Sequence, residues 1–136
     1  MQNFGITKDE VRLIQDSFEK VCDTNCWELL YRKLFELDKD IPALFRGDMK
    51  EQEHRIMTMM KVVVEGLNHP EIIIPAIQKM GSRHSSEYEV QKKHYSSFKS
   101  ALLYALEQTL GKDFTADVRK SWEKFYDLLA STMKNQ

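Results

Sequence analysis

Ile72-Ile73-Ile74-Pro75-Ala76-Ile77-Gln78-Lys79-Met80-Gly81-Ser82-Arg83-His84 is the stretch on which the fold turns. Its apolar opening is too short for periodicity alone to separate strand from helix. With Pro75 in the first turn of a helix, where a missing N–H costs nothing, Ile77, Met80 and His84 share one face at i, i+3 and i+7. A basic imidazole then closes an otherwise greasy stripe at the end of a short helix. Taken alone, such a histidine reads as a satisfied core or boundary residue. It gains meaning from a helix upstream, where the amide of Gln52 falls on the inward face.

Outward from this stretch the chain reads as helices. Thr7-Lys8-Asp9-Glu10 has the capping-box pattern, and Val11, Ile14, Phe18 and Val21 follow at helical spacing. Asp23-Thr24-Asn25 supplies a break and a new N-cap, after which Trp27, Leu30, Tyr31, Leu34 and Phe35 form the next face. The segment from Asp38 to Asp48, with Pro42 and Gly47, reads as a short helical turn plus a loop. A long amphipathic helix runs from about Met49 through Ile56, Met60, Val63 and Leu67 and stops at His69-Pro70. Tyr95, Phe98, Leu102, Ala105 and Leu106 mark another, ending before Gly111. The last carries Val118, Trp122, Phe125, Tyr126, Leu129 and Met133. No other stretch shows the alternation of a strand, so the expectation is a single all-α domain over residues 1–136 with about six to eight helices.

The totals narrow the function classes. The 136 residues hold 20 Lys+Arg against 21 Asp+Glu, which leaves no basic field to collect nucleic acid or anionic lipid. No apolar run spans a bilayer and the N-terminus lacks a signal peptide's apolar segment, so the expected location is the cytoplasm. Cys22 and Cys26 are too few for a disulfide framework or a Cys-rich zinc site. They read as two ordinary thiols or, if residues 22–26 form a corner, as a redox pair.

Several chemistries fail on their residue requirements. A di-iron bundle needs two Glu-x-x-His pairs, and Glu51-Gln52-Glu53-His54 stands alone. The zinc-protease pattern and the glycine-rich phosphate loops are absent. The positive signal is polar groups at inward positions. Gln52 lies one turn before Ile56, where an amide is costly without a polar partner, and Tyr31 places a hydroxyl on the inward face of its helix. With His84 they make three polar groups on three helices, able to converge on a site lined by Phe45, Ile56, Met80, Val90 and Phe98. An apolar pocket with a few placed polar groups suits a small ligand or a flat cofactor.

At this point the sequence resembles a globin, specifically a bacterial single-domain globin akin to the haem domain of flavohaemoglobins. The resemblance rests on Leu30-Tyr31-Arg32-Lys33-Leu34-Phe35, Pro42-Ala43-Leu44-Phe45, Met80-Gly81-Ser82-Arg83-His84 with Tyr88 and Val90, His94-Tyr95, and Trp122-Glu123-Lys124-Phe125-Tyr126. It implies a helical sandwich around a b-type haem. His84 takes the place of the iron ligand and Phe45 that of the phenylalanine on the haem face. Gln52 and Tyr31 take the distal positions, and the distance from Tyr31 to Phe45 fits the family. His54 as the distal residue would rotate Met60 and Val63 off the inward face, so Gln52 is preferred and His54 is expected at the solvent or the pocket rim. Ile56, Met80, Val90, Tyr95 and Phe98 are expected to line the cofactor, while Arg83, with Lys92 or Lys93, could meet its propionates.

The implied function is tight binding of O2, with NO and CO as further ligands and NO as a substrate in a dioxygenase reaction that would need a separate reductase. A hydroxyl and an amide donating to a ligand that gathers negative charge would slow its loss, which suits scavenging or NO detoxification better than oxygen transport in bulk. The competing class is a globin-fold sensor or interaction module, haem-free or hexacoordinate. Three departures from the family pattern stand out. Gln136 falls about where a proximal Glu is usual, Glu89 replaces a customary Gly, and His84 and Tyr95 are one residue further apart than in many relatives.

Overall fold

The computed structural model describes residues 5–39, 48–87 and 92–134, with residues 80–87, 92, 93 and 134 described by their backbone alone. Within these residues the chain forms six α-helices and no strand: α1 Lys8–Val21, α2 Cys26–Leu37, α3 Met49–Glu65, α4 Pro70–Glu87, α5 Lys92–Leu110 and α6 Ala116–Lys134. Short 3-10 turns, Gly66–Asn68 and Gly111–Asp113, join α3 to α4 and lead out of α5.

The helix ends follow from local chemistry. The Thr7 hydroxyl accepts from the Glu10 N–H at 3.1 Å, and the Glu10 carboxylate accepts from the Thr7 N–H at 2.8 Å, so both halves of the capping box form. At the next corner the expected N-cap, Asn25, makes no side-chain cap bond. Thr24 does the work instead. Its hydroxyl donates to the Val21 carbonyl at 2.6 Å and accepts from the Cys26 N–H at 3.2 Å, serving the end of one helix and the start of the next. Trp27 locks that corner by donating its indole N–H to the Cys22 carbonyl. At the end of α5, Gly111 adopts φ +57°, a left-handed conformation that favours glycine.

The isoleucine stretch is helical, and its helix is longer than the sequence pattern implies. α4 begins at Pro70 and continues to Glu87, so Pro75 lies inside it and not in its first turn. Pro70 fits the opening position, where no N–H is required. Pro75 removes one bond to the Glu71 carbonyl, a cost that seating Ile73 and Ile77 offsets, at 4% and 1% exposure. Ile72 is 68% exposed, which makes the run amphipathic. The helix upstream also departs slightly from expectation. It leaves α geometry at Gly66, three residues before His69.

The inward faces build one core. Ile14, Leu30, Leu34, Met60, Ile77, Leu102, Leu106, Trp122 and Phe125 are its fully buried large side chains. α2 packs chiefly on α5, α1 on α6, and α4 on α6. The Trp122 indole donates to the Ser17 hydroxyl at 2.8 Å, so the one polar atom of that ring is satisfied inside the core. α3 and α4 are consecutive but are seated on different partners, α3 against α1 and α2, and α4 against α6.

Candidate functional site

Tyr31 and Gln52 come from helices that pack on one another. Tyr31 sits in the buried stripe of α2 at 5% exposure, its ring 5.9 Å from that of Phe35 and tilted by 40°. The register of α3 is set by Asp48, whose carboxylate accepts from the Lys50 N–H at 2.9 Å and fixes where the helix begins. From that start Ile56, Met60 and Val63 turn inward and are buried, Gln52 is half-buried one turn before Ile56, and His54 is exposed. The buried Tyr31 hydroxyl and the half-buried Gln52 amide are thus carried by two helices in contact.

On the other side, Tyr95 and Phe98 are half-buried in the first turns of α5. The Tyr126 hydroxyl from α6 donates to the Tyr95 backbone carbonyl at 2.7 Å, and the rings of Phe98 and Tyr126 lie nearly parallel, 5.9 Å apart. Burial raises the pKa of the Tyr95 phenol. For Tyr126 burial raises it further, aided by Tyr95 and the Asp127 carboxylate, so both phenols keep their protons at neutral pH.

α4 carries Met80, Arg83 and His84, and the unbroken helix puts His84 about two turns beyond buried Ile77. The side chains of these three residues lie outside the described residues, as do Phe45, Tyr88 and Val90 and the side chains of Lys92 and Lys93. The structure therefore places Tyr31 on α2, Gln52 and Ile56 on α3, and Tyr95 and Phe98 on α5, with α2 packed against both other helices.

A further polar junction escaped the sequence reading. Asp38, which ends α2, lies 3.8 Å from the imidazole of His94 and 3.5 Å from the Ser97 hydroxyl, both on α5. The stripe Tyr31, Leu34, Phe35 extends by one turn to Asp38, a signal that was available. Its partners, far along the chain, were not.

Other features are structural. Cys22 and Cys26 are free thiols with different neighbours. The Cys22 sulfur contacts that of Met57 on α3 at 3.7 Å, and burial pushes the Cys26 thiol up to about 11. The seam among Ile6, Leu67, Ile77, Phe125, Leu128 and Leu129 is apolar and too narrow for a water molecule, so it holds no ligand. No helix among the described residues is long and apolar enough to cross a membrane.

A buried Tyr31 with a half-buried Gln52 on α2 and α3, and half-buried Tyr95 and Phe98 on α5, are the few polar and mostly apolar residue types that a flat apolar group requires. Residues 28–133 match the family model described as Globin, and the chain belongs to the globin family, whose members generally bind haem. It is 29% identical over 116 residues to a flavohemoprotein of Xylella fastidiosa (strain Temecula1 / ATCC 700964), covering 83% of this chain and 29% of that protein. It is 25% identical over 128 residues to the flavohemoprotein of Bacillus subtilis (strain 168), covering 92% of this chain and 31% of the other. It is also 25% identical over 144 residues to a neuroglobin of Danio rerio, covering 94% of this chain and 90% of the relative. The chain thus spans less than a third of the flavohemoproteins and nearly the whole of the neuroglobin.

Proposed function

We propose that this protein is a haem b globin that binds O2 tightly at a five-coordinate iron, takes NO as a second ligand or substrate, and is re-reduced by a reductase outside these 136 residues. The observation that carries this reading is the burial of Tyr31 on a helix packed against α3, whose half-buried Gln52 offers a second donor. When bound, haem supplies an iron with an open position for O2, NO or CO.

The chain's own residues do the rest. His84 offers a neutral imidazole nitrogen to the metal. The Met80 carbonyl, one helical turn earlier, is the acceptor assigned to its other ring N–H. The Tyr31 hydroxyl and the Gln52 amide would donate to the negative charge that a bound gas gathers, and such charge-assisted bonds are worth about 1.5–3 kcal/mol. Phe45, Ile56, Met80, Val90, Tyr95 and Phe98 would line the group and keep water out, and Arg83 would pair with its propionates.

Slow O2 loss suits scavenging or NO dioxygenation. A hexacoordinate sensor held by His54 is the weaker reading, because His54 is exposed. Stopped-flow O2 dissociation from Tyr31→Phe tests the proposal, since only the hydroxyl is removed. About ten- to hundredfold faster loss is expected. An unchanged rate would remove Tyr31 from the role.

A further inference from the structure

One carboxylate fastens the end of α2 to the first turn of α5. Asp38 leaves the helix in an extended conformation (φ −141°, ψ 99°) while its N–H still bonds to the Leu34 carbonyl. Its Oδ2 accepts a long hydrogen bond from Ser97 Oγ at 3.5 Å and lies 3.8 Å from His94 Nε2, a close approach and not a hydrogen bond. The Asp38 and His94 side chains are 9% and 8% exposed, so they meet away from bulk water.

The neighbours of these residues give the junction its meaning. Asp38 lies about two helical turns beyond Tyr31 on the stripe that includes Phe35, whose ring meets that of Tyr31. On α5, His94 directly precedes Tyr95, and Ser97 directly precedes Phe98. Tyr126 pins the same turn from α6 through the Tyr95 carbonyl. The segment bearing Tyr95 and Phe98 is therefore held from two sides, and the Asp38 side leads to Tyr31.

We propose that Asp38 is a positioning residue: by holding His94 and Ser97 it couples the Tyr31 helix to the wall bearing Tyr95 and Phe98, so that ligand retention by Tyr31 depends on it. This rests on the haem-globin reading for its ligand, but the coupling itself is a property of the polypeptide.

The test compares Asp38→Ala and Asp38→Asn, each with Tyr31 and with Tyr31→Phe. O2 dissociation and the stretching frequency of bound CO are the readouts. Asp38→Ala should speed O2 loss about three- to tenfold and shift the CO stretch, with little further effect in the Tyr31→Phe background. Asp38→Asn, which keeps an acceptor oxygen, should restore most of the wild-type rate. Equal factors in both backgrounds with an unshifted CO stretch would overturn the proposal, because they mark a merely structural role.

Amide hydrogen exchange on the haem-free chain provides an independent arm. Asp38→Ala should loosen residues 28–34 and 94–98 together, whereas loosening confined to residues 36–39 would overturn the coupling. A wild-type chain that takes up no haemin would refute the haem reading and leave the exchange arm to decide the coupling. Should Asp38→Ala fail to fold, Asp38→Ser carries the same readouts and the same expected outcomes.

Discussion

The hydroxyl of Tyr126 donates a 2.7 Å hydrogen bond to the backbone carbonyl of Tyr95, joining α6 to the first turn of α5. Tyr126 is buried, and its ring stacks on Phe98. Tyr126→Phe keeps the stack and removes only the donor. It should cost about 1–2 kcal/mol, the worth of a buried hydrogen bond whose acceptor is left behind. Urea unfolding checks this, and an unchanged midpoint would mean that water replaces the hydroxyl at the Tyr95 carbonyl.

Alkaline pH should weaken the fold. Burial raises the pKa values of Tyr95 and Tyr126, and it pushes the Cys26 thiol from its ordinary 9.0 up to about 11. For each group the unfolded chain releases its proton first as pH climbs, so unfolding gains on folding. The Cys26 contribution is complete below about pH 9 and fades as pH rises through about 11, with the tyrosines following from about pH 10. Thermal melts should be flat from neutral pH to about 9 and then fall, and Cys26→Ala should make the first part of the fall shallower, leaving the contribution of Cys22, whose thiol burial also raises. A melting temperature that rises between pH 9 and 11 would contradict the shifts.

Gly66 marks the closest approach between the turn after α3 and the body of α4. A Cβ built there would lie 2.8 Å from Ile73 Cδ1 and 3.2 Å from Ile73 Cβ. Ile73 is itself buried, so it has little room to yield. Gly66→Ala should therefore cost about 1–3 kcal/mol, the usual penalty of overpacking. Adding Ile73→Val removes the Cδ1 atom and should recover part of the loss. Strict additivity of the two changes in a double-mutant cycle would show that the contact is not the cause.

Much of the fold was legible because its signals are local. The Thr7–Glu10 box, the stripes Leu30-Tyr31-Leu34 and Ile56-Met60-Val63, and the Trp122-Phe125-Tyr126 face each need only a few turns of helix to read, and all are buried or capped as the spacing implies. The start of α4 was placed too late because Pro75 reads as a first-turn signal. Tertiary burial of Ile73 and Ile77 overrides it and carries the helix from Pro70 to Glu87. At the corner after α1, two adjacent residues could cap, and the choice of Thr24 over Asn25 depends on backbone angles that composition does not encode. Of the candidate site, the inward positions of Tyr31 and Ile56 were readable from periodicity. The Asp38–His94 junction was not, because it exists only once α2 and α5 pack.

The central claim, a haem iron held by His84 with Tyr31 and Gln52 on the ligand side, is tested most directly by absorption spectra of the haemin-reconstituted protein and of His84→Ala. The wild type should show an intense band near the edge of the visible, a five-coordinate ferrous form, and a clear shift when CO is added. His84→Ala should lose the haem or hold it only with added imidazole. No band in the wild type, or a ferrous spectrum unchanged by His84→Ala, would contradict the claim. Sharply split bis-histidine bands that vanish on His54→Ala would contradict the assignment of Gln52.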